Sequence, residues 1–248
     1  MSDVLLITGG GRGIGAATAR RAAEAGYAVA VNFVRDRTAA EATASSCRGA
    51  GVEAMAVAAD VRDEGQVATM FGAVTDRFGP IDVLVNNAGV LHHQMRFAEM
   101  GVDRWHEVFA VNVIGTMLCA REAVRSMSTE RGGDGGAIVN VSSAAATLGS
   151  PGEYIDYAAT KGAIDTLTIG LAKEVATEGI RVNAVRPGVI ETDIHAAGGE
   201  PDRVARVAPS VPMQRGGMPE EVAEVIMWLA SPAASYVTGA LVDCSGGR

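Results

Sequence analysis

Tyr157 and Lys161 stand four positions apart in DYAATKGAID, residues 156–165, a stretch otherwise rich in small side chains. On an α-helix that spacing puts a phenol and an ammonium on one stripe, where both can point into a single pocket. A phenol serves as a proton carrier only if its pKa, ordinarily about 10, is brought toward working pH, and a neighbouring ammonium favours the phenolate. The same spacing also suits a half-buried tyrosine whose lysine reaches out to solvent. Other residues of the chain have to separate the two readings.

A second chemical signature lies near the start, in Thr8-Gly9-Gly10-Gly11-Arg12-Gly13-Ile14-Gly15, between the apolar run VLLIT (4–8) and the helix-forming AATARRAAEAG. Glycines permit a tight reversal and let a pyrophosphate approach bare backbone, while the N-terminus of the following helix offers unpaired N–H groups and partial positive charge. A glycine cluster alone is weak evidence; its place between a first strand and a first helix makes it a dinucleotide cradle.

The elements that must position these groups follow from the hydrophobic pattern. Short aliphatic runs recur at 4–8, 28–33, 54–59, 81–86, 137–142, 181–185 and 240–244, with helix-period segments between them. Strands apolar on both faces and separated by amphipathic helices predict an α/β fold, a doubly wound parallel sheet of about seven strands with helices on both faces. Thr38-Ala39-Ala40-Glu41 has capping-box spacing and predicts a helix start, with the stop near Gly49 or Gly51. Pro80 is placed to help end the third helix. The run TERGGDGG (129–136) reads as a flexible surface connection. No repeat or domain boundary is evident, so residues 1–248 are expected to form one domain, with about 193–217 as a lid over the substrate.

With 48% apolar and 20% charged residues, the chain has the balance of a globular protein. A net charge of −8 and no basic stripe exclude nucleic acid and an anionic membrane as expected partners. Cys47, Cys119 and Cys244 are scattered without metal-like spacing, which predicts reduced thiols in a cytoplasmic protein and no metal site. The opening MSDVLLITGG reads as a first strand, not a signal peptide or membrane span. His92 and His93 read as solvated loop residues.

The frame Gly9-x-x-x-Gly13-x-Gly15, taken with Asn86-Asn87-Ala88-Gly89, Asn112, Ser143, Tyr157-x-x-x-Lys161 and Pro187-Gly188, resembles the short-chain dehydrogenase/reductase family over essentially the whole chain. The resemblance implies a Rossmann-like domain and nicotinamide chemistry on a small carbonyl or alcohol. It implies that Tyr157 carries the proton, Lys161 tunes it and grips the nicotinamide ribose, Ser143 bonds the substrate oxygen, and Asn112 supports a water-linked proton path. Ser142 and Ser143 are adjacent, and only one of them can face the pocket. By the same resemblance, the glycine turn from Gly9 through Gly11, Arg12, Gly13, Ile14 and Gly15 holds the coenzyme. Asp60 and Val61 contact adenine, although Asp60 also suits a helix N-cap. Asn87, Ala88 and Gly89 edge the coenzyme site, Asn87 being equally suited to a turn. Ile190 and Thr192, after Pro187-Gly188, hold the carboxamide. Members that resemble this chain assemble as homotetramers or homodimers through their fourth and fifth crossover helices.

The second strand ends Val31-Asn32-Phe33-Val34-Arg35, with no carboxylate at its tip. Arg12 and Arg35 converging there favour the 2′-phosphate of NADP(H), with Asn32 beside them. Asp36 argues for NAD(H) as the alternative. Two further alternatives stand: an NADP(H)-binding sensor or scaffold without chemistry, and an enoyl reductase that uses Tyr154, seven residues before Lys161.

Overall fold

Alternation within each strand, between two apolar faces, organises the molecule. The computed structural model describes residues 2–248. Its strands are β1 (Val4–Ile7), β2 (Ala28–Phe33), β3 (Ala54–Ala58), β4 (Val83–Asn86), β5 (Gly136–Val141), β6 (Ile180–Pro187) and β7 (Leu241–Cys244). They form one parallel sheet in the order β3-β2-β1-β4-β5-β6-β7, the doubly wound arrangement expected. Leu5 and Ile7 face one side and Val4 and Leu6 the other, each wholly or almost wholly buried.

The first side is covered by α1 (Gly13–Glu24), α2 (Arg37–Gly49) and α10 (Pro219–Ala230), through Ala19, Ala44, Ile226 and Leu229. The second is covered by α3 (Glu64–Phe78), α5 (Thr116–Met127) and α7 (Ile155–Val175), through Met70, Val74, Cys119 and Val175. Both faces are therefore dry, which is why the strands read as continuous apolar runs. Cys47 and Cys119 are core residues as expected, and burial pushes the Cys119 thiol up to about 12. No helix among the described residues is long and apolar enough to cross a membrane.

β1 lies between β2 and β4, so the crossovers leave it toward opposite faces and a crevice opens at the carboxyl ends of β1 and β4. Two expectations are corrected, one beside that edge and one at the amino end of β5. Asp36, not Thr38, caps α2, its carboxylate accepting the Ala39 N–H at 3.0 Å. The run 129–136 lies on the surface as expected but is pinned at its glycines, since a Cβ on Gly133 would lie 2.5 Å from the Met127 carbonyl and one on Gly135 2.6 Å from that of Gly179. The interruption at 193–217 is built of α8 (Ile194–Ala197), α9 (Arg203–Val207) and a 3₁₀ turn, with Val189, Val204, Val207 and Val211 as its own small core. Observed strand ends differ from the expected ones by up to two residues.

Candidate active site

At the first crevice the chain must turn sharply and still leave N–H groups free. Gly9 takes a left-handed φ of 62°, and a Cβ on Gly15 would lie 2.5 Å from the Gly9 carbonyl, so only glycine lets α1 begin this close to the turn. Arg12 precedes α1 in extended conformation and no side chain caps the helix. In contrast, Asp36 and Asp63 cap α2 and α3. The first N–H groups of α1 thus meet the demands of a pyrophosphate, which fits a dinucleotide.

Two asparagines hold this turn in place. Asn32 accepts the Gly9 N–H at 3.3 Å and donates to the Ala59 carbonyl at 3.0 Å; it is fully buried with its amide engaged by backbone. Asn87 donates to the carbonyls of Thr8 (2.9 Å) and Gly9 (3.0 Å), and the Thr8 hydroxyl accepts the N–H groups of Asn87 and Ala88. Both are scaffolding for the cradle. Around it lies a cavity of about 430 Å³ bordered by Gly9, Gly11, Gly13, Arg12, Arg35, Asp36, Asp60, Val61, Ala88 and Gly89. Asp60 is gripped by Arg62, with N–O distances of 2.6 and 3.0 Å, and this hydrogen-bonded guanidinium holds the carboxyl below its usual range. Arg12 and Arg35 have no ion pair among the described residues.

The cleft continues into a second cavity of about 390 Å³, and Ile14, Asn87, Gly89, Leu91, Thr192 and Ile194 border both. Ser143, Tyr157, Lys161, Pro187, Gly188 and Ile190 line this second part. Ser142 is buried, donating to Asp165 Oδ1 at 2.6 Å and to the Lys161 carbonyl at 3.2 Å. Ser143 takes the other direction: its hydroxyl accepts, at 3.1 Å, the N–H of Ala145, where the short helix α6 (Ala145–Leu148) begins, and faces Tyr157. Lys161 is 4% exposed, donates to the Val141 carbonyl at 2.8 Å and has its Nζ 5.4 Å from the Tyr157 ring centroid.

Burial weighs on both members of the pair. It pushes the Tyr157 phenol up, opposed by the Ser143 hydroxyl and the Arg203 charge. Burial also lowers Lys161, to about 8, with the Asp165 charge acting the other way. Spacing puts the two side chains on one stripe, and burial disfavours the charged form of each.

Asn112 sits in a π-helical segment, Ala110–Gly115, between α4 (Val102–Phe109) and α5. Its side chain accepts from Val90 N at 2.8 Å and donates to the Val90 carbonyl and Thr160 Oγ1, each at 3.1 Å. It therefore ties the loop after β4 to α7. The Ile190 carbonyl is occupied, accepting from His195 Nε2 at 2.8 Å and from the Thr192 hydroxyl at 3.4 Å.

Of the other residues of the second cavity, the sequence singled out only Tyr154, as the rival proton carrier. Tyr154 is 2% exposed, immediately precedes α7, and lies beneath Arg203 at 4.9 Å with its hydroxyl unpartnered. It is outside the helix, so counting seven residues along a helical face does not relate it to Lys161. His195, buried on α8, and Arg203, which pairs with Glu153 at 2.7 Å, also border the cavity. Arg206 joins the same rim through Glu153 and Glu200, and Gln94 bonds Glu200. Only a tertiary fold brings 92–95, 150–154 and 195–206 together; no local spacing marks them. His92 is paired with Glu107 at 3.2 Å.

Comparison with known proteins agrees with this architecture. The profile of the family described as "Enoyl-(Acyl carrier protein) reductase" matches residues 9–248. The chain is 54% identical to the uncharacterized oxidoreductase YgfF of Escherichia coli K12 over 99% of both chains. It superposes on the 3-ketoacyl-(acyl-carrier-protein) reductase of Brucella melitensis complexed with NADH, with a TM-score of 0.91 and 35% identity, covering 99% of this chain and 98% of that one. A blue fluorescent protein from a metagenomic library, in complex with NADPH, matches with a TM-score of 0.90 and 33% identity over 99% and 97%. A glycine turn before an uncapped helix, a tyrosine and lysine one turn apart, and likeness along the full chain lead to one conclusion: the protein is an oxidoreductase of the short-chain dehydrogenase/reductase family.

Proposed function

We propose that the protein interconverts a ketone or aldehyde with an alcohol using NADP(H), with NAD(H) as the weaker coenzyme. The observation that carries this reading is the convergence of Ser143, Tyr157 and Lys161 on a cavity continuous with the dinucleotide cleft. When bound, the nicotinamide supplies or takes the hydride. Tyr157 Oη gives its proton to the carbonyl oxygen in reduction and takes it back in oxidation. Burial favours the protonated phenol, the form that the reductive direction uses. Ser143 donates to the same oxygen and stabilises its developing charge. Lys161 holds the ribose and presents positive charge to the phenolate left behind. Asn112 keeps the loop after β4 against α7. Asp60 and Val61 flank the adenine, and Arg12 and Arg35 take the 2′-phosphate.

An enoyl reduction through Tyr154 is less well supported, because its hydroxyl is buried and it lies outside α7. A sensor needs only the cradle and has no use for Ser143, Tyr157 and Lys161 together. One domain with a lid near 193–217, a cytoplasmic location and assembly into a homotetramer or homodimer complete the reading. The exposed Ile114, Met117 and Ile169 on the π segment, α5 and α7 support such an assembly. The decisive experiment follows oxidation of the reduced coenzyme with a panel of ketones and aldehydes. Tyr157→Phe is expected to lower kcat by at least about 10²–10⁴-fold, while Tyr154→Phe has a mild effect; the reverse ranking refutes the assignment.

A further inference from the structure

A lysine that is 4% exposed needs a counter-charge, and its one hydrogen-bond partner here is the neutral carbonyl of Val141. One helical turn further along α7 stands Asp165, also buried. Its two oxygens are divided. Oδ1 accepts the Ser142 hydroxyl at 2.6 Å, and that hydroxyl also meets the Lys161 carbonyl. Oδ2 accepts two N–H groups of Arg186, on β6, at 2.8 and 3.0 Å. Arg186 in turn lies 3.8 Å from Asp243 of β7, whose side chain is mostly exposed.

We propose that Asp165 is a positioning residue for Lys161, locking its helical turn to the end of β5 through Ser142 and supplying its counter-charge, and that Arg186 sets how much of that charge the ammonium feels. This rests on the role given to Lys161 above. The ammonium meets the Val141 carbonyl of β5 and the Tyr157 ring of its own helix, with Asp165 one turn along that helix as the nearby charge; Asn112 Oδ1 lies on the Gly89 side, and Ser142, just after β5, meets the Lys161 backbone carbonyl. Arg186 from β6 reaches it only through Asp165, and Arg203 from the lid acts on Tyr157. The direction of the Asp165 effect on Lys161, upward against burial, agrees with this arrangement.

The two partners of the ion pair should then move Lys161 in opposite directions, whereas simple loosening of the fold would move it the same way in both variants. Lysine occurs in this chain at Lys161 and Lys173 alone, and Lys173 is exposed. Carbon-13 labelling of the lysine ε-carbons therefore gives two NMR signals, with Lys173→Arg to assign them. In the full-length protein, Asp165→Asn is expected to shift the Lys161 titration down by about one pH unit, and Arg186→Gln to shift it up by about as much. The Asp165→Asn/Arg186→Gln double variant should return toward the parent. The alkaline limb of kcat should follow the same order. Equal or same-direction shifts overturn the proposal, and so do titrations that move while the alkaline limb of kcat stays fixed. If Asp165→Asn does not fold, Arg186→Gln alone decides, an upward shift supporting the proposal and any other result overturning it. Because the titration needs no turnover, its failure is separable from a failure of the Tyr157 assignment, which the phenylalanine variant tests.

Discussion

Arg12 and Arg35 border the first cavity, the proposed adenosine end of the cleft, without ion pairs among the described residues, while Arg62 beside them is held by Asp60. A free guanidinium can meet a phosphate without first giving up a carboxylate. Replacing Arg35 with serine is expected to weaken NADP(H) binding by about 10–100-fold and to change NAD(H) binding little, as titration calorimetry would read. Equal loss for both coenzymes would contradict the assignment. At this scale the chemistry was legible in part. Residue types and spacing pointed to Tyr157, Lys161 and the glycine turn. They did not reveal that burial at Tyr157 outweighs the Ser143 hydroxyl and the Arg203 charge, because desolvation depends on what the fold places around the ring. Nor did they show that the Asn32 amide, at the edge of the first cavity, is engaged by the backbone of Gly9 and Ala59.

Among the elements, α7 bears most of the candidate chemistry, and its first turn is fixed by charge. Asp156 accepts from Arg104 of α4 at 2.6 and 3.0 Å, and Arg104 also donates to the His93 carbonyl. The Asp156 side chain is only 1% exposed. Arg104→Ala leaves that carboxylate buried without its partner and is expected to cost about 3–5 kcal/mol in urea unfolding. Arg104→Met with Asp156→Leu should recover most of the loss, since both charges then leave together. Burial alone would raise Asp156, but Arg104 and the Tyr157 N–H outweigh it, so the folded value lies below the unfolded one. The resulting stability is fully present above the unfolded value, near about 3.9, and is lost as pH falls through the folded value. Helix starts were harder to read than strands. Asp36 and Thr38 are both good caps, and the choice depends on where β2 releases the chain.

For the whole molecule, the order of apolar runs and helix-period segments sufficed to anticipate the sheet, because strands dry on both faces leave a continuous signature. The rim of the second cavity was not anticipated, since Glu153, Glu200, Arg203 and Arg206 meet only after distant loops converge. The wall common to the two cavities has a kinetic consequence. On the proposed function, Ile14, Asn87 and Thr192, which border both cavities, would lie at the reactive end of the dinucleotide, and that end would form the floor on which the smaller molecule rests. Encounter should follow a compulsory sequence, coenzyme first in and last out. Product-inhibition patterns would register it: oxidised coenzyme should compete with reduced coenzyme, and the alcohol product should be noncompetitive toward it, whereas symmetrical competition would indicate random entry.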